Sequence, residues 1–288
     1  MIVITAASGH LGQAVAQALE ARSPVSGIRL AARSPDKLAA FHARGFEVVQ
    51  ADYEDPASLR AAFEGADSVA VISSGGVDAD RIRHHTAAID AAKAAGVPRI
   101  VYTSATNPVP ASRFEWAGAH RVTEALLRDS GLDWTVLRDN AYASNNDGIF
   151  DHAVREGVFA IPGPDARVAW VTHEDVADAL AVVLTTPGHT HKVYEITGPT
   201  APDSHEVAAT LAKLSGRAIR VVDVPLEDFA GHLRSAGLPE FAVTGVTSFY
   251  AALGAGEYAA VSKDVERLSG HPGATIGAYL ERFVRERG

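Results

Sequence analysis

Eight residues near the start of the chain, Thr5-Ala6-Ala7-Ser8-Gly9-His10-Leu11-Gly12, lie between a short apolar run and an amphipathic one. A glycine-containing turn that joins a strand to a helix aims backbone N–H groups and a helix N-terminus at a pyrophosphate. Gly9 lets the backbone approach the phosphates, and Gly12 lets the helix pack close to the strand. Ala6 stands where the usual G-x-x-G-x-x-G spacing has its first glycine, so the loop turns there with negative φ or carries mild strain. After the second apolar run come Ala31-Ala32-Arg33, with no carboxylate to bond a ribose 2′-hydroxyl. Arg33 instead offers a planar fork for a 2′-phosphate, and Lys37 adds charge one turn on. Together, Ala6–Gly12, Arg33 and Lys37 predict a site for NADPH. Asp52 and Tyr53 follow the third run, within reach of an adenine. Ser73, Ser74 and Gly75 follow the fourth, beside the ribose and nicotinamide path, and Thr103 and Ser104 end the fifth.

These residues need a scaffold that brings strand ends together, and the pattern supplies one. Short apolar strands are expected at 2–5, 28–32, 46–50, 68–72, 99–103 and 134–137. Helices are expected at 11–22, 36–43, 56–63, 81–95 and 117–129, with Asp55-Pro56 as N-cap and first helical residue. This alternation predicts an α/β fold, a Rossmann-type doubly wound parallel sheet. We read residues 1–137 as the dinucleotide-binding core. Residues 138–288 form a mixed region that returns to the sheet at about 170–198, through a helix at 173–185 and a strand at 192–197. The remainder is expected to form a small substrate-binding cap over the carboxyl ends of the strands.

The composition is that of a globular chain: 47% hydrophobic, 21% charged, with mean hydropathy +0.03. A net charge of −9, with no basic cluster, argues against nucleic acid and against anionic lipid. The absence of cysteine excludes disulfides, thiolate zinc sites, iron–sulfur clusters and thiol nucleophiles, and suits a cytoplasmic location. Ile2-Val3-Ile4 reads as a buried strand and not as a signal peptide, and no apolar run approaches the length of a membrane span. His84-His85 and His189/His191 have no ligand spacing for a metal and read as surface histidines; no metal site is expected. Ser104 lacks the Gly-x-Ser-x-Gly elbow of hydrolases. A homodimer is compatible with the sequence, which does not choose an assembly.

Several segments carry a family resemblance: A-A-S-G-H-L-G at 6–12, A-A-R-S-P-D-K at 31–37, Q-A-D-Y at 50–53, A-A-K-A-A-G-V at 91–97, Y-T-S at 102–104 and A-H-R-V-T-E-A-L-L at 119–127. They continue with L-R-D-N-A-Y at 137–142, A-G-L-P-E-F at 236–241 and L-S-G-H-P at 268–272. The chain resembles the NmrA-like atypical short-chain dehydrogenases, near NADPH-dependent quinone oxidoreductases and triphenylmethane reductases. The resemblance spans nearly the whole chain. It implies an NADPH-dependent reductase that passes hydride to a quinone-like or other conjugated aromatic acceptor. The group also contains non-catalytic redox sensors, so the alternative is an NADP(H)-sensing regulator that binds a partner protein.

Most short-chain dehydrogenases use Tyr-x-x-x-Lys, but none of the seven tyrosines here has lysine four residues later. Direct hydride transfer to a strongly electrophilic acceptor needs mainly proximity and orientation. His120 stands where isoflavone-reductase-like relatives place a lysine, and is the candidate acid, with a positioning role as the alternative. Asn140 and Tyr142 follow the sixth strand and face the expected nicotinamide end. Trp170 and the group Phe241, Phe249 and Tyr250 are candidates to line an apolar pocket for a flat ring.

Overall fold

The computed structural model describes residues 1–287. Seven strands form one parallel sheet: β1 (Ile2–Ile4), β2 (Ile28–Ala32), β3 (Glu47–Gln50), β4 (Ser68–Val71), β5 (Arg99–Ala105), β6 (Asp133–Asp139) and, after an excursion, β8 (Lys192–Ile196). The order is β3-β2-β1-β4-β5-β6-β8. The chain leaves β1 toward one edge and then returns to add β4 on its other side. This topological switch opens a crevice at the carboxyl ends of β1 and β4, where open α/β sheets bind ligands.

Helices α1 (His10–Glu20), α2 (Ala39–His42), α3 (Pro56–Phe63), α4 (Asp78–Ala94), α5 (Ala117–Asp129) and, later in the chain, α7 (His173–Thr185) flank the sheet. The expected helix at 36–43 is a 3-10 turn over Pro35–Leu38 followed by the single turn of α2, because Pro35 and the short span leave little room for more. Asp55 caps α3 as expected, accepting from the N–H groups of Ala57 and Ser58. The sheet is covered on both faces. One face packs Leu11, Val15 and Leu19 of α1 with Val176, Leu180 and Val183 of α7. The other packs Leu59 and Phe63 of α3 with Ala88 and Ile89 of α4 and Leu127 of α5.

A third apolar cluster, centred on Phe150, Leu211, Tyr250, Leu280 and Phe283, draws all its buried members from Ala141 onward. It is built from α6 (Asp147–Glu156), α8 (Ser204–Ser215), α9 (Leu226–Ser235), α10 (Glu240–Gly254) and α12 (Ile276–Arg287), with a two-stranded parallel sheet of β7 (Val158–Ile161) and β9 (Arg220–Asp223). Helix α11 (Asp264–Ser269) packs instead against α7 and β8. Among the described residues no helix is long and apolar enough to cross a membrane, and no group of three potential ligands is arranged to hold a metal ion.

Candidate active site

The loop after β1 is fixed before any ligand arrives. The Ala7 N–H donates to the Ala31 carbonyl of β2, and the Gly9 N–H donates back to the Ala6 carbonyl. Ala6 takes φ +48°, the left-handed alternative, so the missing glycine is met with strain and not with a rerouted turn. Gly12 is required by packing: a Cβ there would lie 2.6 Å from both the Ala6 oxygen and the Ala7 Cα. At Gly9 a Cβ would meet only the Ala6 oxygen, at 3.4 Å, and its φ of −78° is ordinary. The open face at Gly9 and the N-terminus of α1 behind it fit a pyrophosphate. Arg33 is the first residue past β2; it is exposed and makes no ion pair among the described residues. Lys37 is exposed in the 3-10 turn that follows.

The ends of β4 and β5 are locked by side chains. The Ile72 N–H donates to Thr5 Oγ1, that of Ser73 to Thr103 Oγ1, and that of Ser74 to His85 Nε2, each at 3.0 Å. Tyr53, expected near the adenine, commits its hydroxyl to the fold, donating to the Ile72 carbonyl at 2.6 Å beside Thr5 Oγ1. Asp52 accepts from the Glu54 N–H. Ser104 donates to Glu124, a buried carboxylate also held by Arg138 and Arg128. Those cations keep the Glu124 carboxyl low against the opposing pull of burial, its largest single influence.

The chain segments at the carboxyl ends of β4, β5 and β6, with Leu11 from the loop after β1, open on one cleft of about 620 Å³, which Arg33, Lys37, Asp52 and Tyr53 do not line. Its floor is Leu11, the 72–75 turn, Thr103–Ala105 and Asp139–Tyr142; His120 stands at one wall. The facing wall is aromatic: Phe114, Trp116, Phe249, Tyr250 and Tyr258. Trp116 lies against α10 at Gly245, where a Cβ would fall 2.1 Å from its ring, and the Arg81 guanidinium sits 4.4 Å above it. Phe249 and Tyr250 reach the cleft as expected. Trp170 and Phe241 do not. Trp170 is buried in the cap, beside a void of about 10 Å³, and Phe241 at the start of α10 is 46% exposed. Asn140 uses its amide internally, with Oδ1 accepting from the Ala141 N–H at 2.7 Å and Nδ2 donating to the Tyr258 carbonyl at 3.3 Å.

Three titratable groups here, His85, Tyr102 and Asp139, were given no role in the site by the sequence. His85, expected at the surface with His84, is fully buried; its Nδ1 lies 2.8 Å from Thr123 Oγ1 and 3.3 Å from the Tyr102 hydroxyl. His84 is also mostly covered, between Ser74 and Glu54. The Tyr102 hydroxyl is 2.7 Å from His120 Nδ1. Burial, with the charge of Arg81 adding to it, depresses the pKa of His120 to about 3, and burial first of all does the same to His85. His120 is therefore neutral at physiological pH, which favours the positioning alternative over an acid titrating near neutrality. Asp139 is the third group. Its Oδ2 accepts from the Tyr142 hydroxyl at 2.6 Å, its Oδ1 is buried without a partner, and burial pushes its pKa up to about 8. The Tyr142 ring stacks on His173, 4.4 Å between centroids.

Residues 6–187 match the family model described as NAD(P)H-binding. Quinone oxidoreductase 2 of Escherichia coli is 37% identical over 283 residues, 98% of each chain. An NAD(P)H azoreductase of Xenophilus azovorans is 30% identical over 286 residues, 98% of this chain and 97% of that one. Among solved structures, an NADPH-dependent quinone oxidoreductase of E. coli complexed with NADPH superposes with a TM-score of 0.93 at 36% identity, over 100% of this chain and 99% of that one. Triphenylmethane reductase of Citrobacter sp. complexed with NADP(H) gives a TM-score of 0.92 at 29% identity, over 98% of this chain and 100% of that one.

Proposed function

The chain belongs to the NAD(P)H-binding family, as an NADPH-dependent oxidoreductase, and from that footing we propose that its acceptor is a flat conjugated molecule of the quinone class, reduced by direct hydride transfer. The observation that carries the acceptor class is the cleft itself. One cavity joins Leu11 and the turns after β4, β5 and β6 to a wall of five aromatic rings against which a planar ring system can lie. The likeness to a quinone oxidoreductase and an azoreductase supports the same class, since both names describe conjugated acceptors. With relatives named as reductases on nearly their whole length, a non-catalytic sensor is not favoured.

In this reading the loop Ala6–Gly12 holds the pyrophosphate against the N-terminus of α1. Arg33, aided by Lys37, holds the 2′-phosphate, and the adenine lies toward Asp52 and Tyr53. Ser73–Gly75, Thr103 and Ser104 border the ribose and nicotinamide path. When bound, NADPH supplies the hydride. The protein's part is to hold the acceptor ring over the 72–75 and 139–142 segments, exclude water with the aromatic wall, and orient the ring. His120, neutral, is placed to donate a hydrogen bond to an acceptor oxygen. Asn140 keeps the floor in place through its two internal bonds. Tyr142, braced by Asp139 and His173, borders the acceptor from the other side.

The test follows NADPH oxidation in the nicotinamide absorbance band with a simple benzoquinone, a triphenylmethane dye and an azo dye in turn. Turnover with at least one, fastest with the quinone, is expected. Protein that binds NADPH tightly and oxidises it with none of the three would refute the proposal.

A further inference from the structure

His120 has two ring nitrogens, and the hydrogen bonds behind it determine which one carries the proton. The chain of reasoning starts at a backbone group, whose role as donor is fixed. The Ser74 N–H donates to His85 Nε2 at 3.0 Å. His85 is buried and neutral, so its proton is on Nδ1. Nδ1–H points at Thr123 Oγ1, 2.8 Å away, and Thr123 is free to accept because its own proton goes to the Ala119 carbonyl at 2.8 Å. Tyr102 cannot donate to a nitrogen that already bears hydrogen. Its close partner is His120 Nδ1, at 2.7 Å. If His120 donated instead, the buried phenol proton would be left to Thr123 Oγ1, which already accepts from His85 Nδ1 at 2.8 Å. His120 Nδ1 is thus an acceptor, and the proton of the neutral ring is on Nε2. That nitrogen has no protein hydrogen-bond partner among the described residues, and the ring lines the cleft.

We propose that His85 and Tyr102 are positioning residues that hold His120 as its Nε2–H tautomer, so that a neutral ring presents one fixed N–H donor to the acceptor's oxygen. The role of His120 toward the acceptor rests on the reading above; the placement of the protons does not. The device starts at Ser74, in the turn that also borders the cofactor path: its N–H fixes the His85 proton on Nδ1, which leaves the Tyr102 hydroxyl to donate to His120 Nδ1. His120 keeps its proton throughout. It favours the build-up of negative charge on the acceptor oxygen as hydride arrives, and the proton of the finished product comes from water.

Long-range proton–nitrogen correlation NMR on the unmodified protein reads the tautomers without turnover. The expected result is opposite tautomers on the two rings: Nδ1–H on His85 and Nε2–H on His120. Nδ1–H on His120 would overturn the proposal. In Tyr102→Phe, which keeps the ring and removes the hydroxyl, His85 should stay Nδ1–H while His120 becomes a mixture. The kcat for quinone should then fall about tenfold while the Kd for NADPH changes by less than about twofold, the pattern of an interaction made with the acceptor alone. An unchanged His120 spectrum and unchanged kcat in that variant would also overturn the proposal. Opposite tautomers in a protein that reduces no quinone would support it and count against the acceptor class only.

Discussion

The carboxyl of Asp139 is the strongest pH-dependent element near the cleft, and replacing it with its neutral isostere isolates the effect. In Asp139→Asn the side-chain oxygen still accepts from Tyr142, and the amide stands in for the protonated acid. The folded carboxyl has a pKa raised from 3.8 to about 8, chiefly by burial. Below about pH 4 the group is neutral in the folded and unfolded chains alike, and its contribution is fully present. As pH rises further the unfolded chain releases the proton while the folded chain retains it, so stability falls until about pH 8, where both are ionised. At about 1.4 kcal/mol per pH unit, the three units between the two states at pH 7 amount to about 4 kcal/mol. The assay is urea unfolding of wild type and Asp139→Asn at pH 5, 6, 7 and 8, without cofactor. The variant's advantage should grow with pH, at a slope approaching about 1.4 kcal/mol per unit and flattening above pH 8. Any packing cost of the amide shifts all four points equally and leaves the slope intact. A difference independent of pH would show that Asp139 is already ionised in the fold, and would refute the reasoning.

Arg33→Ala should weaken NADPH binding by about 1.5–3 kcal/mol and leave NADH nearly unchanged, as measured by titration calorimetry; equal losses for both cofactors would place the 2′-phosphate elsewhere. The two loop glycines should separate. Gly9→Val should fold with near-native stability and lose NADPH binding, because its side chain would fill the face proposed for the pyrophosphate, whereas Gly12→Ala should lower the melting temperature through its 2.6 Å clash. His120→Ala should reduce kcat/KM for a quinone by about tenfold, short of the roughly 10²–10⁴-fold of a general acid. Because the His120 pKa lies near 3, wild type and His120→Ala should share the same pH–rate profile between pH 5 and 7, and a wild-type transition there that vanishes in the variant would restore the acid role.

The parallel sheet and the turn after its first strand were legible because their signals are local. Glycine spacing, apolar runs and the Asp55-Pro56 start all act within a few residues, and the predicted bounds of α3, α5, α7 and β2 coincide with those of the structure. The consequence of Ala6 was left between two options, and only the backbone chose the positive φ. The histidine pair was misread for a physical reason. Adjacent residues on a helix do point in different directions, but one direction on α4 is inward, and the partners that satisfy His85 there, Tyr102 and Thr123, lie on β5 and α5. Asp139 entered the sequence reading only as part of the L-R-D-N-A-Y segment; its burial beside the Tyr142 hydroxyl is a property of the folded chain. The aromatic residues of the cap were the hardest to sort. Phe241 and Phe249 share α10, yet the first lies at its exposed start and the second over the cleft.

Trp116, held between the Arg81 guanidinium and the flat face of α10 at Gly245, gives the enzyme an optical reporter. The chain has three tryptophans, and the other two sit away from the cleft: Trp134 beside His191 and Arg128, and Trp170 within the cap. A reduced nicotinamide absorbs where indole emits, so excitation of the protein should sensitise the emission of bound NADPH, with Trp116 as the principal energy donor. A quinone seated against the same wall accepts electrons readily and should quench that ring. Entry of the cofactor and entry of the acceptor would then register as two different colour changes from a single side chain, separable in time by stopped flow and requiring no added label.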